Sequence, residues 1–182
     1  MRVLVTGATG FLGVAIVREL LARGHAVRAP VRPASGLAGL DGLGAEVARG
    51  DVLDAASVRA ALAGCEGLVH AAGIPRIGAD ARETSAVNVT GAEVVLGAAL
   101  EAGVARAVLT SSTSVMGGTR EPVVQDESAA GNAEALGIGY FVSKLQGERA
   151  ALALARRGLP LVVVRPSFVL GPGDTHGSSA SV

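Results

Sequence analysis

The sequence predicts an α/β fold, a doubly wound parallel sheet in a single domain, and three observations carry that prediction. Short Val/Leu-rich runs alternate with longer Ala/Leu-rich ones, the pattern of repeated βα units. Hydrophobic residues make up 49% of the chain, yet they are mostly Ala, Val and Leu, with one Tyr, three Phe and no Trp; a core of small aliphatics suits helices packed closely on a buried parallel sheet. The opening run Val3-Leu4-Val5 passes through Thr6–Gly13, TGATGFLG, into Val14-Ala15-Ile16-Val17-Arg18-Glu19-Leu20-Leu21 at helical spacing. A chain of 182 residues is long enough for one domain with a substantial core and short for two.

Taken in order, strands are expected near 2–6, 26–31, 45–48, 67–70, 105–110 and 161–165, and helices near 11–23, 55–63, 84–102 and 138–157. Gly24 and Gly103 fall where the first and third helices should stop, as a helix C-terminus prefers. The Gly/Ala-rich stretch Ala34–Gly44 reads as a loop inside the domain. Strands so apolar need cover on both faces, and ligands of such a sheet belong in the crevice at the carboxyl ends of its strands.

Sixteen Lys and Arg balance sixteen Asp and Glu, so no basic field is available to hold nucleic acid or anionic lipid. The only cysteine is Cys65, which excludes an internal disulfide framework; without a Cys/His cluster an ordinary structural zinc site is excluded too. No apolar run approaches the length that spans a bilayer, and the chain starts directly on a strand with no charged leader. The expectation is a cytoplasmic protein with a small-molecule substrate and no metal, nucleic acid or membrane partner.

The glycine turn is where chemistry begins. Gly7, Gly10 and Gly13 leave no side chain between the turn and an approaching ligand, so backbone N–H groups and the positive end of the helix can meet a pyrophosphate. The spacing is GxxGxxG, not the commoner GxGxxG. The second strand carries Arg28 and Arg32 at the place where an NAD enzyme usually presents Asp or Glu to the adenosine ribose. A guanidinium there clamps a 2′-phosphate, so NADP(H) is favoured over NAD(H); the alternative is two solvated arginines. Asp51, in Gly50-Asp51-Val52, could accept from the adenine amino group, while Asp54 is the better cap for the helix that follows. In Leu68-Val69-His70-Ala71-Ala72-Gly73 the small residues let the backbone pass close under a cofactor. His70, inside the apolar strand, reads as a packed histidine in preference to a catalytic base.

The second half supplies reactive groups. Val108–Ser114 runs a strand into a cluster of hydroxyls, and Tyr140-Phe141-Val142-Ser143-Lys144 puts a phenol and an ammonium four residues apart on one helical face. An ammonium held near a phenol favours the phenolate and makes it a working acid and base. A serine in the same crevice would hold the substrate oxygen.

Together these stretches resemble the extended short-chain dehydrogenase/reductases, the NAD-dependent epimerase/dehydratase family, whose nucleotide domain is a Rossmann fold. The likeness spans essentially the whole chain and rests on TGATGFLG at 6–13, GDVLD at 50–54, VHAAG at 69–73, NVTGAEVVL at 88–96, LTSSTSVMGG at 109–118, YFVSK at 140–144 and RPSFVLGPGD at 165–174. It implies Tyr140 as acid/base, Lys144 as its partner and as a ligand of the nicotinamide ribose, and Ser112, in preference to Ser111, as the substrate's hydroxyl partner. It implies cofactor contacts from Gly7, Thr9, Gly10, Phe11, Leu12 and Gly13, from Asp51 and Val52, from Ala71, Ala72 and Gly73, and from Asn88, Tyr140, Lys144, Pro166 and Ser167. The VRAPVR strand is most similar to the dihydroflavonol-reductase-like branch, which reduces carbonyls or oxidises alcohols with NADP(H). Sugar-nucleotide epimerases and dehydratases holding NAD are the alternative, and a non-catalytic dinucleotide sensor is a third, against which the Tyr/Lys pair argues. Members of the family continue into a C-terminal portion that builds most of the substrate pocket, so the chain is expected to be a fragment. Many relatives pair through the helices expected here near 84–102 and 138–157.

Overall fold

In the computed structural model, which describes residues 1–129 and 131–174, the apolar runs form six parallel strands. They are β1 (Arg2–Thr6), β2 (Ala26–Val31), β3 (Glu46–Arg49), β4 (Gly67–His70), β5 (Arg106–Thr110) and β6 (Leu161–Val164). Their order across the sheet is β3-β2-β1-β4-β5-β6, with Leu4 beside Leu68, Leu68 beside Ala107 and Val108 beside Val162. The expected strands are all present, displaced by a residue or less.

Because side chains alternate along a strand, each strand feeds both faces. Leu4, Leu68, Ala107 and Leu109 point to one face, where Val58 and Leu62 of α2 (Ala55–Leu62), Val95, Leu96 and Ala99 of α4 (Gly91–Ala102) and Ala151 and Leu154 of α6 (Gly139–Arg156) bury them. Each fully buried Val or Leu there contributes about 1.5–3 kcal/mol. Val3, Val5, Val27, Ala29 and Val31 point to the other face, under Val17 of α1 (Phe11–Ala22) and Leu40 of the following loop. Cover on both faces, the expectation, holds only for part of the sheet. Among the described residues α1 is the helix that packs on the second face, and it lies over β1 and β2, so Val162 and Val164 of β6 remain 44% and 40% exposed.

The expected helix at 84–102 is three pieces. Asp80 caps α3 (Ala81–Ser85) through the Glu83 amide, a π-helical turn follows at Ala86–Thr90, and α4 then runs to Gly103, which takes φ +65°. The wide turn accommodates an extra residue and turns Asn88 inward, where it is 6% exposed. At the end of α1 the chain turns at Gly24, with φ +78°, and the Gly24 and His25 amides donate back to Leu21 and Leu20. A 3-10 turn (Thr113–Met116) and a four-residue helix α5 (Ala133–Leu136) lie between β5 and α6.

Candidate active site

Strand order reverses between β1 and β4, and their carboxyl ends open a crevice of the kind that binds ligands in open α/β sheets. The glycine turn forms one wall. Gly7 takes φ +70°, and a Cβ there would lie 2.6 Å from the Ala72 amide nitrogen; Gly13 is buried, and its Cβ would strike the Gly7 carbonyl. Those two glycines are demanded by the protein's own packing. Gly10 is different: it is exposed, and the nearest atom to a Cβ would be the Gly7 carbonyl oxygen at 3.3 Å. It begins α1 with no side-chain cap, so the positive helix end opens where Gly10 leaves space. Thr9, Phe11 and Leu12 are half-buried beside it, with the Phe11 ring against Gly171.

Of Arg28 on β2 and Arg32 directly after it, the structure removes Arg28 from the crevice. Arg28 pairs with Leu4 in mid-strand, and its guanidinium binds Glu46 at 2.8 Å and the carbonyls of Ala61 and Ala63 at 2.8 and 2.7 Å. Those carbonyls close α2, at the amino ends of the strands and so at the opposite end from the glycine turn. Arg32, directly after β2, is exposed. Past β3, Asp51 accepts the Leu53 amide at 2.9 Å and Asp54 caps α2 through the Ala56 amide, while Val52 packs against Gly91.

At the end of β4, His70 is 1% exposed and bonds to the Thr6 hydroxyl at 2.7 Å. Burial, reinforced by the Lys144 charge, pushes its pKa down to about 3, so the ring is neutral, a packed histidine. Ala71 and Ala72 are half-buried and Gly73 is exposed. A Cβ on Gly73 would come within 3.1 Å of Asn88 Oδ1 and 3.9 Å of Lys144 Nζ. The Asn88 amide is committed within the protein: Nδ2 donates to the Ile74 carbonyl and to Ser143 Oγ, and Oδ1 accepts the Ile74 amide. Asn88 therefore ties the loop at Ile74 to Ser143 of α6 on the Gly73 side of the crevice.

The hydroxyl cluster after β5 divides by environment. Ser111 is 5% exposed and donates to Glu148. Ser112 is half-buried and accepts the Ser114 amide at 3.1 Å, which leaves its own proton to donate. The Thr113 amide donates to the Pro166 carbonyl at 3.0 Å, joining this turn to the segment after β6, where Pro166 is half-buried and Ser167 exposed. Tyr140 and Lys144 occupy the first turns of α6; the Tyr140 ring meets Phe141 edge-on at 6.0 Å. Lys144 Nζ donates to the Thr110 carbonyl at 2.7 Å. Burial brings its pKa down to about 8, with Glu148 pulling the other way.

Three participants were not singled out from sequence. Glu148, 3% exposed, binds Arg165 and Ser111 together, and Thr6 links β1 to β4. Glu148 had a signal: it continues the stripe of Tyr140 and Lys144 at the next four-residue step. Arg165 and Thr6 each sit at the end of an apolar strand, where the chain leaves the core.

The chain is 41% identical over 179 residues to sterol demethylase protein B of Methylococcus capsulatus, covering 98% of this chain and 54% of that one. It is 37% identical over 171 residues to a putative dihydroflavonol 4-reductase of Synechocystis, covering 93% and 50%. Among solved structures it superposes on the Thermus thermophilus UDP-glucose 4-epimerase in complex with NAD with a TM-score of 0.78 at 27% identity, covering 91% and 54%. The chain thus spans about half the length of these relatives. The sequence profile of the NAD dependent epimerase/dehydratase family matches residues 3–182, and the chain belongs to that family.

Proposed function

We propose that this chain is the nucleotide-binding part of an NAD(P)-dependent oxidoreductase of the extended short-chain type, acting on a small carbonyl compound or alcohol. The observation that carries the reading is the convergence on one crevice of Lys144 Nζ, held by the Thr110 carbonyl, the Ala71–Ala72–Gly73 loop and the glycine turn. The residues fit a dinucleotide. Gly10 stands exposed at an uncapped helix end where a pyrophosphate would lie, Arg32 is exposed for a 2′-phosphate, and Lys144 is a cation in reach of the loop beneath a ribose. With Arg28 engaged elsewhere, the NADP(H) preference rests on Arg32 alone. Asp51 and Val52 would border the adenine, and Pro166 and Ser167 the nicotinamide.

When bound, the nicotinamide supplies or accepts a hydride. Tyr140 gives or takes the proton at the substrate oxygen, Ser112 donates its hydroxyl hydrogen to that oxygen, and Lys144 holds the ribose and keeps positive charge near Tyr140. A nucleotide-sugar epimerase or dehydratase that retains NAD is the second reading, favoured by the likeness to the NAD-bound 4-epimerase. Cytoplasmic location belongs to the same reading and is supported by the free, buried thiol of Cys65; no described helix is long and apolar enough to cross a membrane. A homodimer through α4 and α6 belongs to the same proposal. The deciding experiment is titration of the protein and its Gly10→Val variant with NADPH and NADH. The parent should bind and the variant should not, with circular dichroism unchanged; equal binding by both overturns the assignment of the glycine turn.

A further inference from the structure

The segment after β6 is anchored at both ends. At its start the Ser111 amide donates to the Val164 carbonyl and the Thr113 amide to the Pro166 carbonyl, at 2.8 and 3.0 Å. At its far end the backbone lies against one edge of the Phe11 ring: a Cβ on Gly171 would stand 3.4 Å from Cζ and 3.8 Å from Cε2, and one on Gly173 3.9 Å from Cδ2. Phe11 is the first residue of α1, next to Gly10.

The two anchors belong to opposite sides of the crevice. Across the sheet β6 and β1 are separated by β5 and β4, three inter-strand steps that amount to about 14 Å. The five residues from Pro166 to Gly171 reach at most about 18 Å when fully extended. The segment is therefore drawn nearly straight past the carboxyl ends of β5 and β4, as a strap along the crevice mouth. Its middle buries little apolar surface, with Phe168 and Leu170 67% and 77% exposed, and segments of that kind open locally at small cost.

We propose that the contact of the Phe11 ring with Gly171 is a latch on this strap, and that a dinucleotide enters and leaves the crevice only when the latch opens. This rests on the reading of the crevice as a dinucleotide site. Phe11 then acts on the rate of exchange through the strap, beyond any contact its backbone makes with the ligand. A net oxidation or reduction must release one form of the nucleotide and take up the other in every turnover, so opening of the strap belongs to the catalytic cycle, as lid opening does in many enzymes.

The test is stopped-flow measurement of NADPH association and dissociation, followed by nicotinamide fluorescence well below the melting temperature. A latch gates both directions, so Phe11→Ala should raise both rate constants about ten-fold with Kd within about three-fold of the parental value. A ring that only touched the ligand would change dissociation alone and Kd in proportion; that outcome, or parental kinetics in Phe11→Ala, overturns the proposal. Gly171→Ala is compatible with the backbone, since Gly171 takes no positive φ, and it sets a methyl against the ring. It should slow both rates about two-fold in the parent and leave them unchanged in the Phe11→Ala background. An equal effect in the two backgrounds overturns the latch. If Phe11→Ala does not fold, Phe11→Leu, which keeps an apolar side chain without the ring edge, replaces it in both comparisons. A parent that binds neither NADPH nor NADH in calorimetric titration overturns the dinucleotide reading itself, and the latch with it.

Discussion

Glu148 in the middle of α6 holds Arg165, just past β6, with both carboxylate oxygens, and the oxygen facing Nε of Arg165 also takes the Ser111 hydroxyl. The guanidinium passes on to the Glu127 carbonyl. One buried carboxylate thus fastens the carboxyl ends of β5 and β6 to the helix that carries Tyr140 and Lys144. A buried charge left without its partner costs far more than the pair contributes. Glu148→Ala should lower the unfolding free energy by about 3–5 kcal/mol in urea titrations, and Glu148→Gln, which retains hydrogen-bonding atoms, by clearly less. A loss below about 1 kcal/mol in the Ala variant, the scale of a surface ion pair, would show that the network does not hold the strand ends.

Lys144 is a cation that the fold holds at a cost. Its folded pKa is about 8 against an ordinary 10.5, so below pH 8 the protein bears the full penalty of the buried charge. Between those two values the folded state has released its proton and the unfolded state still holds one, so stability rises with pH. Lys144→Met should therefore be the more stable protein at pH 7, by about 1–3 kcal/mol, with the gap to the parent closing as pH climbs through that window. Nucleotide affinity should fall in the same variant. A Met variant less stable than the parent at pH 7 would mean that the bond to Thr110 outweighs the burial.

The parts legible from sequence are those in which local pattern and tertiary role coincide. Val3–Val5 followed by Gly7, Gly10 and Gly13 is a strand, a turn and a helix whichever partners surround it, and Asp54 before Ala55 is a cap on the same local grounds. The split at Ala86–Thr90 was not legible, because one extra residue in a turn leaves the apolar spacing of a helix nearly intact. Arg28 misled for a different reason. Arg28 and Arg32 share a strand face by parity, yet Arg28 lies in mid-strand and its long stem reaches back to the end of α2, a contact set by the packing of an element 33 residues away. The exposed Val162 and Val164 show the limit from the other side: an apolar strand says that cover is needed, not which residues supply it.

That distinction between the arginines has a measurable consequence. Arg32→Ala should weaken NADPH by about 1–3 kcal/mol and leave NADH nearly unchanged, because only the former has a 2′-phosphate. Arg28→Ala should lower the melting temperature, having lost the Glu46 and Ala61 and Ala63 contacts, without altering the NADPH to NADH ratio. Calorimetric titration of both nucleotides against both variants checks this. Preference for NADH in the parent, or a change of ratio in Arg28→Ala, would contradict the assignment of Arg32.

The sharpest contrast in chemistry is between neighbouring serines and between a phenol and its ring. Tyr140→Phe removes one oxygen and keeps the edge contact with Phe141, so in the full-length protein, with a carbonyl substrate that the parent reduces, turnover should drop by about 10²–10⁴-fold while nucleotide affinity hardly moves. Ser112→Ala, losing the hydroxyl whose proton is free to donate, should also depress turnover with the melting temperature near the parental value. Ser111→Ala should do the reverse. Its hydroxyl is buried on Glu148, so removing it should cost about 0.5–1.5 kcal/mol of stability and little activity. If Ser111→Ala stops turnover and Ser112→Ala does not, the hydroxyl partner of the substrate has been placed one residue too late. Full activity in Tyr140→Phe would move the acid/base role to another group.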